Sequence, residues 1–291
     1  MSDGRKNKRK IVLIVIIAVL LVCIGGCVWY VNDYYRASPE VDEYFRESSG
    51  SGGPEDVTIT EIDDGLFLDG PGTDAALIFY PGAKVEYTAY VPLMYRLAEN
   101  GADVFLIKMP CNLAILGIDK ADDIADEYEY EKWYLGGHSL GGAMAAVYAA
   151  DQLEDGDLWL DGLVLMAAYP TKSLQSADMS VLTIYGSEDG VLNMEKIAEG
   201  RKLMPSVSAA DGSTEAAAGT EASAGTEASA GGTEKASDKA VRAVTETVIE
   251  GGNHAQFGCY GKQKGDGRAS ISAEEQWNRT ADAVLEMMGL K

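Results

Sequence analysis

Of six strand-like runs along the chain, AALIFYPG, ADVFLIKM, KWYLGGHS, LDGLVLMAAYP, VLTIYGS and VTETVIEGG, several are apolar on consecutive positions rather than on alternate ones. A strand that is apolar on both faces is one covered from both sides, as the strands of a parallel sheet are. Between these runs lie helical patterns at about Val91 to Glu99, Lys120 to Glu129 and Leu140 to Leu153. In a last helix Trp277, Ala281, Val284, Leu285 and Met288 make one apolar stripe, behind a capping box of Ser272 and Glu275. VTITEI and GLFLDG read as a leading hairpin. Strands alternating with helices predict a three-layer α/β/α sandwich with a mostly parallel sheet. With 291 residues, 46% of them hydrophobic, the chain can bury the core this needs.

The N-terminus predicts something else. MSDGRKNKRK is strongly basic, and Ile11 to Val31 is an uncharged run rich in Ile, Val and Leu. As a helix, a run of that length spans about 30 Å, the hydrocarbon thickness of a bilayer. The expected order is therefore a basic cytoplasmic tail (1–10), a transmembrane anchor (11–31), a flexible linker (32–56) and a catalytic-sized domain (57–291) outside the membrane. The alternatives are a cleaved signal, or a lipoprotein anchored at Cys27 through the loose lipobox Ile24-Gly25-Gly26-Cys27. Trp29 and Tyr30, placed as an interfacial aromatic belt, favour the uncleaved anchor.

The first ten residues hold five basic and one acidic side chain; the rest holds 19 basic and 45 acidic, a net charge of −26. Such a surface repels phosphate backbones, and nucleic acid is excluded as a partner. The chain has four cysteines and two histidines in no usual zinc spacing, so neither a metal nor an organic cofactor is expected. Cys111 and Cys259 either pair or remain free thiols. Residues 207–238 include GTEASAGTEASAGGTEKAS, a six-residue repeat without branched-apolar or aromatic side chains, and are expected to be a disordered insertion.

The chemistry is carried by Gly137-His138-Ser139-Leu140-Gly141. It follows a strand pattern and opens a helix pattern, the context of a nucleophile elbow in which Ser139 is the nucleophile. An acid and then a histidine should follow, each after a later strand. TIYGSEDGVLN supplies Asp189, with Glu188 as the alternative. His138 lies inside the elbow, so His254, after the last strand, is the expected base. Oxyanion donors are expected from the backbone N–H of Leu140 and from the turn Pro81-Gly82-Ala83-Lys84, at Ala83.

With Ser139, Asp189 and His254 in that order, residues 57 to 290 resemble the α/β-hydrolase superfamily, and within it the α/β hydrolase fold-5 branch related to dienelactone hydrolases. FYPGAKVEYTAY, GGHSLGGAMAA, MAAYP, YGSEDGVL and EGGNHAQFGCYGKQKGDG carry the likeness. The resemblance implies an eight-stranded sheet, triad residues on loops at its carboxyl edge, and hydrolysis of an ester through an acyl-enzyme. Pro81-Gly82 stands where the superfamily often has His-Gly, and the repeat between the acid and base strands is foreign to its pattern. Only about ten residues join the sixth strand to the seventh, leaving no room for a lipase-type lid. The expected function is a membrane-anchored serine hydrolase acting on a small-molecule or cell-envelope acyl ester. The competing readings are an acyltransferase or peptidase on the same triad, and a silent fold kept for binding.

Overall fold

The sheet grows outward from β3 (Ala75–Tyr80), β4 (Asp103–Ile107) and β6 (Gly162–Met166), every residue of which is buried. β1 (Thr58–Ile62), β2 (Gly65–Asp69), β5 (Lys132–His138), β7 (Ser180–Gly186) and β8 (Val244–Ile249) complete eight strands in the order β1-β2-β4-β3-β5-β6-β7-β8. The structure, a computed structural model, describes residues 3–50, 57–72, 74–205 and 242–291. β1, β2 and β4 pair antiparallel, as the leading hairpin requires; β4, β3, β5, β6, β7 and β8 run parallel.

The consecutive apolar pattern has the expected cause. Leu77 and Phe79 of β3 join Val104, Leu106, Val164 and Met166 in a cluster under α3 (Val91–Glu99) and α7 (Ala273–Met288). Ala76, Ile78 and Tyr80 of the same strand face the opposite cluster under α4 (Lys120–Glu127) and α5 (Leu140–Asp155). Alternate side chains of one strand thus enter two cores, and truncating Leu77 to Ala would cost about 2–5 kcal/mol. α7 begins where its capping box predicts, with Ser272 Oγ accepting from Glu275 N at 3.1 Å, and it buries the five stripe residues. A short α6 (Met194–Gly200) follows β7.

At the N-terminus α1 runs from Asp3 to Asn32, and within it Lys10–Asn32 is long and apolar enough to cross a membrane. The segment expected to be a flexible tether differs. Residues 33–48 are docked on the domain: Tyr35 bridges to Val85, and α2 (Val41–Gly50) lies against β1 and α3. The reason is an apolar stripe diluted by acids, in which Val41, Tyr44 and Phe45 fall one helical turn apart and Val41 is 2% exposed. Ser48 Oγ also accepts from Ile59 N at 2.7 Å. Residues 51–56 and the repeat at 207–238 lie outside the described residues. Cys111 and Cys259 are both free thiols.

Candidate active site

Ser139 stands between the last residue of β5 and the first of α5 with φ 54° and ψ −120°. A non-glycine residue held there carries backbone strain, which persists only where its surroundings over-determine it. The glycines on either side do that by close approach. A Cβ on Gly141 would come within 2.0 Å of Tyr80 O, and one on Gly137 within 2.5 Å of the Gly141 carbonyl carbon. The turn is pinned further by Ser139 N donating to Met166 O at 2.9 Å.

Asp189 and His254 come together across the ends of β7 and β8. His254 Nδ1 lies 2.8 Å from Asp189 Oδ2, and both side chains are 2% exposed. Asp189 Oδ1 accepts from Val191 N at 2.9 Å and Leu192 N at 2.8 Å, so the carboxylate is fixed by its own loop. The other ring nitrogen of His254, Nε2, is buried and has no hydrogen-bond partner among the described residues. Glu188, the alternative acid, is exposed. Ser139 Oγ makes no hydrogen bond to His254 in this structure. The elbow nevertheless abuts His254, because the ring of His138 lies 4.4 Å from that of His254. Nucleophile–base bonds of this kind are often long until substrate is bound.

His138 is a buried neutral imidazole. Burial pushes it well below the ordinary histidine range, the neighbouring His254 adds to the shift, and the His254 backbone opposes it. Its Nδ1 shares a 2.8 Å hydrogen bond with the hydroxyl of Tyr90, which accepts from Gly82 N at 3.1 Å. Burial raises the Tyr90 phenol, which stays protonated. Tyr90 thereby ties the turn after β3 to the elbow after β5. In that turn Gly82 N is taken by Tyr90 and Lys84 N by Asn112 O at 2.8 Å. The N–H of Ala83 between them is unengaged among the described residues, as is that of Leu140 at the start of α5. These are the two groups expected to hold an oxyanion.

Sequence reasoning missed Tyr90 and Asp266. The Asp266 carboxylate accepts from His254 N (3.2 Å), Gly190 N (3.2 Å), Gly267 N (2.8 Å) and Ala255 N (2.8 Å), clipping the loop of His254 to that of Asp189. The flanking glycines of GDG were its one signal: a Cβ on Gly267 would lie 1.9 Å from Glu188 O. Among the described residues no cluster of three or more His, Cys, Asp or Glu side chains is arranged to hold a metal ion.

A sequence profile of the alpha/beta hydrolase family matches residues 76–222 and 222–278, more than half of the chain, and the chain belongs to that family. No curated protein matches it by sequence. Among solved structures it is similar to TT1662 from Thermus thermophilus, at 13% identity over 80% of this chain and 97% of that one, TM-score 0.49. A thermostable esterase from Pseudomonas putida ECU1011 aligns at 14% identity over 87% and 91%, TM-score 0.49. A hyperthermophilic esterase from the archaeon Pyrobaculum calidifontis aligns at 15% over 86% and 90%, TM-score 0.48.

Proposed function

We propose that this alpha/beta hydrolase is a serine carboxylesterase anchored by α1, with its N-terminus in the cytoplasm and its catalytic domain outside. The observation that carries the chemistry is the buried His254–Asp189 pair beside a serine held at positive φ. In the reading it supports, Ser139 Oγ bonds to the ester carbonyl carbon while its proton passes to His254 Nε2, and the N–H groups of Ala83 and Leu140 receive the oxyanion. Breaking the C–O bond releases the alcohol, which takes the proton from His254 and leaves the acyl group on Ser139. Water then adds to the acyl carbon as Nε2 takes its proton. That proton returns to Oγ when the carboxylic acid departs. Asp189 keeps the proton of the neutral ring on Nδ1 and stabilises the imidazolium formed in each half.

The basic stretch Arg5 to Lys10 before the apolar run supports the orientation. The direct link from β6 to β7 through residues 167–179 supports an open site rather than a lidded lipase. The test is the full chain on a panel of soluble esters, thioesters and amides of graded chain length. Short esters should be cleaved, and Ser139→Ala and His254→Ala should each abolish turnover. Activity that survives both substitutions, or amides cleaved faster than esters, would refute the reading.

A further inference from the structure

The chain leaves α1 at Asn32 and is bound to the catalytic domain again almost at once. Asp33 pairs with Lys84 at 2.7 Å, Tyr35 N donates to Lys84 O at 2.7 Å, and Tyr35 O accepts from Glu86 N at 2.9 Å. Three residues of chain reach about 11 Å at most, so the turn that carries Ala83 stands close to the last residue of α1. The same few residues grip the loop after β8. Tyr35 Oη accepts from Lys264 N at 3.2 Å, its ring lies 5.5 Å from that of Tyr260, and Ser38 N donates to Cys259 O at 2.8 Å. Residues 33–38 are thus a strap across two loops at the carboxyl edge of the sheet. A domain strapped down three residues beyond a span cannot swing free of it, and the edge held nearest the span is the one that carries Ser139.

Exposed apolar side chains point the same way. Among the described residues outside α1, the large hydrophobics left exposed are Ile115 and Leu116 at 56% each, Met194 at 49%, Val248 at 40% and Val191 at 39%. Val248 lies on the edge strand β8. The other four lie beyond the carboxyl ends of β4 and β7, on the segments flanking the site. Ile115 and Leu116 belong to the turn that starts beside Asn112, whose carbonyl holds Lys84 N, and Val191 N donates to Asp189 itself.

We propose that this edge lies against the membrane that α1 crosses, and that the substrate is an amphiphile of that membrane whose ester bond sits at headgroup level and enters the site from the bilayer surface. The proposal rests on the serine-esterase reading and on α1 as a span. It suits the short link from β6 to β7, since the bilayer covers an apolar rim that would otherwise face water. The acidic surface of the domain works against anionic headgroups, so the amphiphile is neutral or zwitterionic.

The test places the full chain in phosphatidylcholine vesicles and compares two esters with the same acyl group. One is a soluble short-alcohol ester; the other is carried on a zwitterionic lipid anchor within the bilayer. Confinement to one surface should favour the bilayer-borne ester by about a hundredfold in kcat/KM. In the variant I115S/L116S that preference should fall about tenfold, while the protein still floats with the vesicles. As a second variant, a rigid helical spacer placed between Asn32 and Asp33 lifts the domain with its strap intact and should also remove the preference. Equal turnover of both esters, or a preference indifferent to both variants, overturns the proposal and leaves the serine-esterase reading standing. Turnover of neither ester in a Ser139-dependent manner overturns both, and failure to float with vesicles overturns the proposal through its anchor.

Discussion

Replacing Asp266 with Asn keeps the size of the side chain and removes its charge and one acceptor. Three N–H groups, from His254, Gly190 and Gly267, converge on Oδ1. The amide oxygen will therefore stay on that side, and its NH2 will face the N–H of Ala255, which Oδ2 now accepts at 2.8 Å. Turning a charge-assisted bond into a donor–donor contact costs about 1.5–3 kcal/mol. In a domain of this size that lowers the melting temperature by roughly 2–4 °C per kcal/mol. The catalytic effect should exceed the thermal one, because the groups set loose are the backbone of the base and of the acid loop. Misplacing a reacting group by about 1 Å costs about a hundredfold in rate. We expect kcat on a soluble short-chain ester to fall about tenfold or more with KM within about twofold, since Asp266 acts through His254 rather than on substrate. Steady-state kinetics beside a thermal melt will show this. A folded Asp266→Asn enzyme with wild-type kcat, or one altered only in KM, would refute the clip.

Three other consequences follow from the same geometry. Asp189→Asn should favour the wrong tautomer of His254 and lower kcat by about 10⁴-fold, whereas Glu188→Gln, at an exposed position, should stay within about twofold; the same ester assay decides between them. Gly82→Ala would put a Cβ 2.9 Å from both His138 Nδ1 and the Tyr90 hydroxyl. Parting those groups should cost about 1–3 kcal/mol in denaturant unfolding and should slow acylation as the Ala83 turn shifts. The third concerns pH. His138 is held neutral with its pKa well below the ordinary value, so below about pH 6.5 the unfolded chain takes up a proton that the folded one refuses. Its contribution to stability is complete above that pH and is lost as the pH falls. His138→Gln should flatten the acid side of the stability curve, read from urea midpoints at pH 7.5 and pH 5.

Much of the fold was legible because its strands bury both faces, and consecutive apolar runs such as AALIFY have few other uses. The elbow was legible because its glycines are demanded by sterics at fixed spacing, and α7 because its cap and stripe are both local. What was not legible depends on contacts distant in sequence. Residues 33–48 read as a tether since charged residues interrupt the few apolar side chains and a Gly- and Ser-rich run follows; only the domain surface shows that Tyr35 and Val41 have somewhere to dock. Tyr90 lies in an unremarkable YTAY, and its role exists only because Gly82 N and His138 Nδ1 meet at its hydroxyl. The side chain of Asp266 is bonded only by backbone N–H groups, which leave no trace in residue identity beyond the glycines on either side of it. Asp189 and Glu188 were adjacent carboxylates on one turn, and the direction of the chain after β7 buries the first and exposes the second.

A Ser139 nucleophile activated by His254 should react covalently with a phosphorus electrophile. The full chain is treated with a fluorophosphonate, its intact mass is measured, and the adduct is mapped by peptide fragmentation. The wild type should carry one adduct per chain, on Ser139, absent in Ser139→Ala and slowed by orders of magnitude in His254→Ala. A wild-type chain that stays unlabelled, or labelling that persists at another residue in Ser139→Ala, would contradict Ser139 as the nucleophile.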